Sequence, residues 1–398
     1  MKILVLGSRI PWPLRDGGAI ATYGMLKALS AKAEVTFFSY NTRKHFCDEE
    51  TIQRHFTFCK VLTHYLDANT KPLPAVRSLI AGTSYNIARF DNPSARKKLE
   101  SLLRTETFDI VHFEGLYTAP FFPVVKAFHN GGTILRQHNK EAEIWKRLAA
   151  NTPAGAKKWY LNQLAARLEE YENRTLPQFD AIVAITRADS AHFRKLAPAS
   201  SHFVYPAGVE VSDLEGAGVS EPIPNTVFHL GSMEWMPNRD GLKWFITDVW
   251  PTVYAATGAT LHIAGKSLNK ADREFVGTGV VNHGEVADAN RFIQPFSIMI
   301  VPLHSGSGIR IKTLESMLQG KAIVTTTVGI QGIDAENGRE VVIADSASDF
   351  ARAVIALLQN PEHANRLGEA ARKLVTEHFS VAGNTERLLE FYREILRK

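Results

Sequence analysis

Short apolar runs alternate with amphipathic stretches of helical length along this chain, and the alternation is written out twice. In the first half, residues 2–7, 34–39, 58–63, 109–113, 133–137 and 180–185 read as strands. In the second half, 226–231, 260–265, 280–282, 297–301, 322–325 and 340–344 do. The segments between them carry apolar residues at three- and four-residue spacing, the signature of helices with one buried face. Strands separated by helices cannot be joined by tight hairpins, so each set predicts a doubly wound parallel sheet. At 398 residues the chain exceeds what one core organises, in agreement with two domains. The boundary is expected after Tyr205, in a Gly- and Pro-containing stretch that runs from Pro206-Ala207-Gly208 to Pro224. The expected architecture is therefore α/β, with Rossmann-like domains at 1–205 and 206–380. A last segment, 381–398, places Leu388, Leu389, Tyr392 and Leu396 at helical spacing and is expected to pack as a helix across the domain junction. Ligands of parallel α/β sheets bind beyond the carboxyl ends of the strands, so two such edges are expected to line a cleft.

Composition narrows the class. A hydrophobic fraction of 45% and a charged fraction of 22% belong to a soluble globular protein. Cys47 and Cys59 cannot build a disulfide framework and stand in no metal-ligand cluster, so a cytoplasmic location is expected. The opening MKILVLGS is too brief an apolar run for a signal-peptide core or a membrane span and reads as a first strand. The net charge of +5 suits an anionic substrate or an anionic membrane surface. Arg96-Lys97-Lys98 and Lys157-Lys158 could rest against phospholipid or simply face water. Basic and aromatic residues do not interleave in a nucleic-acid-binding pattern, so nucleic acid is not an expected partner. Neither H-E-x-x-H nor an Asp-x-Asp pair occurs, so no metal and no other cofactor is expected.

The segment 301–326, VPLHSGSGIRIKTLESMLQGKAIVTT, is the densest in chemistry. A strand buried on both faces ends at Pro302, and Ser305-Gly306-Ser307-Gly308 then leads into a helix. The glycines permit close ligand approach and the serines are expected to cap the helix. Arg310 and Lys312 fall in the first turn, where a cation is unfavourable beside the helix N-terminus unless an anion offsets it. A diphosphate would do so, held by the same N–H groups. Farther along, Ile311, Leu314, Met317 and Leu318 form the buried stripe, with Glu315 at its edge. Glu315 can either pair with Lys312 one turn earlier on a solvated face or accept ligand hydroxyls. Glycine loop, cations and carboxylate together favour a ligand site.

Other candidates stand at strand ends. Gly17-Gly18, between the first strand and its helix, let backbone amides approach a phosphate, although no G-x-G-x-x-G and no P-loop accompanies them. Gly265-Lys266-Ser267 reads as a turn. His138 follows the strand 133–137, where its imidazole could donate or accept a hydrogen bond to a sugar hydroxyl. His112 and Glu114 end a neighbouring strand, and His304 adjoins the glycine loop. Asn238 is expected to cap the helix carrying Arg239 and Lys243, which could assist phosphates or face water.

With the Gly17-Gly18 loop, His138-Asn139, HLGSMEWMPN at 229–238, Gly284-Glu285-Val286 and GSGIRIKTLESMLQGKAIVTT in order, the chain resembles the retaining family 4 glycosyltransferases of GT-B fold over nearly its whole length. The likeness is closest to bacterial members that build exopolysaccharide and other surface glycans. It implies a nucleotide diphosphate sugar donor on the C-terminal domain, with Glu315 on the ribose and the backbone of Glu285 and Val286 reading the base. It further implies Arg310 and Lys312 facing the diphosphate, Gly17 and Gly18 near the phosphates, and His138 beside the transferred sugar. The acceptor, a glycan or a lipid-linked hydroxyl, is implied for the N-terminal domain, with loop 71–92 shaping its choice and an anionic membrane as a further contact. The commoner family pattern has a glutamate eight positions before Glu315, where this chain has Ser307, so the loop amides are expected to supply some sugar contacts. Two other readings fit the same architecture: a sugar-nucleotide epimerase, and a non-catalytic protein that binds nucleotides or glycans.

Overall fold

The computed structural model describes residues 1–14, 17–69, 78, 82–211, 223–270, 272–306 and 308–398. Ser307 and residues 71–77 and 79–81 of loop 71–92 therefore lie outside the described residues, as does much of the expected linker. Two compact units are present, one of Met1–Pro206 with Asn384–Lys398, the other of Ala207–Gly383.

The first unit is built on a seven-stranded sheet in the order β3-β2-β1-β4-β5-β6-β7, every pair parallel. Its strands are β1 (Lys2–Gly7), β2 (Glu34–Thr42), β3 (Lys60–Leu66), β4 (Ile110–Glu114), β5 (Gly132–Gln137), β6 (Ala181–Ala184) and β7 (Ser201–Val204). The unbroken apolar runs follow from burial on both faces. Ile3 and Val5 of β1 join one core with Met25, Leu29, Leu388 and Tyr392, while Leu4 and Leu6 join another with Leu99, Val125 and Phe193. In the helix Val381–Leu396, Leu388, Leu389 and Tyr392 are buried in this unit's core as the spacing requires. Leu396 is instead exposed at the frayed end, and Phe391 and Ile395 take the remaining inward positions. Strand β7 was not legible in the sequence: its four residues, SHFV, are only half-buried at the sheet edge and carry no apolar run.

The second unit repeats the plan with six parallel strands in the order β10-β9-β8-β11-β12-β13. They are β8 (Thr226–Leu230), β9 (Thr260–Ala264), β10 (Val280–Gly284), β11 (Ile298–Val301), β12 (Ala322–Thr325) and β13 (Val342–Ile343). Alternate residues of β11 again serve two cores, Ile298 and Ile300 on one face and Met299 and Val301 on the other. The last strand is shorter than expected because Glu340 belongs to the turn before it, its amide donating to the Glu336 carbonyl at 3.2 Å. In each sheet the first strand lies beside the fourth (β1 with β4, β8 with β11) where the winding reverses, which is where open α/β sheets hold ligands.

Candidate functional site

In the second unit, the reversal brings together the loop after β8 and the loop after β11. The helix Met236–Trp244 lies against the second loop because Gly241 has no side chain: a Cβ there would stand 2.2 Å from the Pro302 carbonyl oxygen. Trp235, just before that helix, faces Gly306, whose φ of +113° and whose hypothetical Cβ, 2.6 Å from the indole, both demand glycine. Across the same indole stands Arg310, its guanidinium carbon 5.1 Å from the ring centroid.

Arg310 donates to the carbonyls of Gly308 and of Val328, the latter at 3.4 Å, while its Nε is buried without a partner. Among the described residues no carboxylate pairs with it. Burial pushes its pKa down to about 10, so it remains a cation at neutral pH. A half-buried, uncompensated guanidinium beside a glycine turn is unfavourable alone and favourable once an anion arrives. The expected serine cap is not made by Ser305. The helix runs Ile311–Leu318 with Arg310 at the N-cap position and no side-chain cap bond, which leaves its first amides open.

Lys312 and Glu315 pair with each other, Nζ to Oε2 at 2.6 Å, the local alternative expected for Glu315. The lysine is 45% exposed, and such an i,i+3 pair is worth only about 0.3–0.5 kcal/mol, little enough for a diphosphate and a ribose to displace. Glu285 is exposed and accepts from the Ser267 amide at 3.3 Å. Val286 packs in the same cluster as Trp235, Ile309 and Ile311. The turn at Gly265-Lys266-Ser267 is present, with Lys266 paired to Glu234 at 2.7 Å. His304 packs edge-on against Trp244 at 4.4 Å.

Asn238 is not the cap expected of it. The helix begins at Met236 with Trp235 at the N-cap and Pro237 inside the first turn. Asn238 Nδ2 instead donates to the Ser232 carbonyl at 3.0 Å and braces the loop that presents Trp235. Arg239 pairs with Glu274 and with Asp272 at 3.4 Å rather than facing water freely. Lys243 joins Glu274 at 3.2 Å.

In the first unit, Glu114 closes β4 and gathers the residues of adjacent strand ends. Its Oε1 accepts from Thr22 Oγ1 at 2.8 Å, Arg136 Nη1 at 2.7 Å and His138 Nε2 at 2.6 Å, and its Oε2 accepts from His112 Nε2 at 2.9 Å. Burial opposes the charge, but Arg136, His138 and the imidazole hydrogen bonds outweigh it and hold the carboxyl well below its usual range. Burial lowers the pKa of His112 and keeps it neutral, so its Nδ1 accepts from the hydroxyl of Tyr392. Arg136 is wholly buried over the Tyr205 ring, with Nε and Nη2 unpaired. Gly17 opens the helix Gly17–Ser30, and a Cβ there would meet no described residue within 4 Å. Gly18 is the next residue of that helix.

Two contributors escaped the sequence reading. Trp235 was visible only as one aromatic in a loop, and its role depends on Gly306, 71 positions later. Arg136 had a signal, a lone charge inside the apolar strand GTILRQ, which in a two-face-buried strand requires a buried counter-ion. Among the described residues, no helix is long and apolar enough to cross a membrane, and no group of three or more His, Cys, Asp or Glu is gathered as metal ligands.

A family model described as Glycosyltransferase Family 4 matches residues 15–213, and one described as Glycosyl transferases group 1 matches residues 224–360. An uncharacterized 44.6 kDa protein in the cps region of Klebsiella pneumoniae is 22% identical over 394 residues, 95% of this chain and 96% of its own. Among solved structures, sucrose-phosphate synthase from Thermosynechococcus elongatus superposes with a TM-score of 0.65 at 17% identity over 100% of both chains. HepE of Anabaena, solved with UDP and glucose, gives 0.62 at 12% identity over 99% of both. TarM gives 0.65 at 12% identity over 100% of this chain and 99% of its own. These neighbours share the GT-B architecture of two parallel-sheet units.

Proposed function

We propose, from the premise that this chain belongs to the family 4 (group 1) glycosyltransferases, that it moves a hexosyl group from a nucleotide diphosphate sugar to a hydroxyl acceptor with retention of anomeric configuration and without a metal. The observation that carries this reading is Arg310, a half-buried cation without a counter-ion among the described residues, stacked on Trp235 beside a glycine turn. In the proposed reaction the bond from the anomeric carbon to the diphosphate breaks, and negative charge grows on the departing phosphate. Arg310, the open first amides of the helix Ile311–Leu318, and Lys312 once released from Glu315 meet that charge. Glu315 then turns to the ribose hydroxyls, and the backbone at Glu285 and Val286 to the base. The acceptor oxygen forms the new bond on the face the phosphate leaves, and its proton passes to a phosphate oxygen. Because the protein supplies the positive charge, turnover should persist in EDTA.

Uridine diphosphate beside glucose in HepE, and glycan ligands with UDP in TarM of S. aureus, support a nucleotide sugar donor and a glycan-type acceptor. The cps region of the Klebsiella relative supports a place in surface-glycan synthesis. The same reading places the protein on the cytoplasmic side, in peripheral contact with an anionic membrane. The test is a panel of sugar nucleotides screened by thermal shift, followed by turnover with glycan and lipid-linked acceptors. A stabilising donor that yields a new glycoside with the donor's anomeric configuration is the expected result. An inverted product would refute retention. Conversion of the sugar nucleotide with no acceptor present, followed by NMR, would favour an epimerase, and donor binding with no turnover would favour a binding protein.

A further inference from the structure

The Glu114 cluster is larger than charge balance requires. Arg136 alone would neutralise the carboxylate, yet two imidazoles and a hydroxyl also converge on it. All but one of these groups are sealed from solvent: Arg136, His112 and Tyr392 are 0% exposed and Thr22 is 7% exposed, whereas the side chain of His138 is 20% exposed. The network therefore ends at one accessible imidazole.

We propose that Glu114 is a positioning residue that fixes His138 as the Nε2–H tautomer, so that Nδ1 presents a lone pair to a hydroxyl of the sugar substrate. An ionised carboxylate only accepts, so the imidazole nitrogen 2.6 Å from Oε1 must be the one bearing hydrogen. When the ring carries a single proton this leaves Nδ1 as an acceptor, and no described residue bonds to it. The orientation is fixed from behind. Tyr392, in the last helix, donates to His112 Nδ1, His112 donates to Oε2, and Thr22 and Arg136 hold Oε1, so the carboxylate cannot rotate away. Adjacent parallel strands set the distance, with Glu114 paired in register to Arg136 and His138 two residues beyond, just past the end of β5. A histidine serving only the core would have both nitrogens satisfied within the protein. This one has its buried nitrogen satisfied and its outer nitrogen open.

The sugar as the hydroxyl-bearing ligand rests on the glycosyltransferase reading, whereas the tautomer does not, so the two can fail separately. Histidine-selective nitrogen-15 labelling of the full chain, with His138→Ala to assign the resonance, should show His138 as Nε2–H near neutral pH. A second measurement is a kinetic cycle. Glu114→Gln should lower kcat roughly five- to tenfold, the worth of one well-placed hydrogen bond, with donor KM little changed. In a His138→Ala background the same substitution should change kcat by less than about twofold, the scatter of independent sites. Equal losses in both backgrounds, or an Nδ1–H resonance in the unsubstituted chain, would overturn the proposal. Should Glu114→Gln not fold, the tautomer measurement decides alone. Should no donor and acceptor pair turn over, the transferase reading falls while the tautomer remains measurable.

Discussion

Replacing Arg310 by methionine separates a catalytic cation from a structural one. The guanidinium is half-buried, stacked 5.1 Å from the Trp235 centroid and bonded to carbonyls, and no carboxylate among the described residues compensates its charge. Methionine keeps the stem's packing against the indole and removes that charge. Loss of the cation–π contact costs about 0.5–1 kcal/mol, and release of a desolvated cation offsets it, so stability should change by no more than about 1 kcal/mol. For a domain of this size that is a melting shift of about 2–4 °C in either direction. Charge stabilisation of a leaving diphosphate by one preorganised donor is worth about 2–4 kcal/mol, which predicts a loss of roughly thirty- to a thousandfold in kcat. The assay is enzyme-coupled release of nucleoside diphosphate with saturating donor, run beside thermal melting of the same preparation. Turnover within about threefold of the unsubstituted enzyme in a protein of unchanged melting point would remove Arg310 from the chemistry. A large fall in melting point would show that the guanidinium is structural.

Other outcomes follow from the same geometry. Gly306→Ala places a methyl group 2.6 Å from the indole at φ of +113°, so it should displace Trp235, disturb Arg310 and weaken donor binding, measurable by calorimetry. Glu315→Gln should weaken nucleotide binding by about tenfold, since a charged acceptor for hydroxyls becomes neutral; unchanged affinity would detach Glu315 from the ribose. Burial pushes Glu172 up to about 7, with its Oε1 unpaired and Glu141 nearby. The folded chain then binds this proton more tightly than the unfolded chain, so its contribution to stability falls as pH rises from about 4.5 to 7 and stays lost above that, by at most about 3 kcal/mol. Glu172→Gln should accordingly raise the melting temperature more at pH 8 than at pH 5.5, and an equal gain at both would contradict the assignment.

The parts of the fold that read correctly from the sequence are those whose signal is local. Strands such as Lys2–Gly7 and Ala322–Thr325 are apolar on both faces, and an unbroken run marks them wherever they fall. The edge strand Ser201–Val204 lacks that run because solvent takes one of its sides. The same divide runs through the site. Gly306, Gly308, Arg310, Lys312 and Glu315 lie within ten residues and could be seen together, including the alternative of a Lys312–Glu315 pair. Trp235 and Arg310 meet only because β8 and β11 are neighbours in the sheet, and the four donors around Glu114 come from three segments far apart in the chain, the helix Gly17–Ser30, β4 and the end of β5. Asn238 misled for a related reason. Its side chain has a better partner in the Ser232 carbonyl than in a helix amide, and that choice depends on the path of the preceding loop.

The central claim is that a diphosphate binds where the β11 glycine turn meets Arg310. The most direct measurement is a crystal structure of the full chain with the nucleoside diphosphate that stabilises it most in a thermal-shift panel. The account predicts phosphate oxygens within hydrogen-bonding reach of the Arg310 guanidinium and the amides around Gly308, with the Lys312–Glu315 pair opened. A pyrophosphate bound elsewhere, with Arg310 still held only by the Gly308 and Val328 carbonyls, would contradict it.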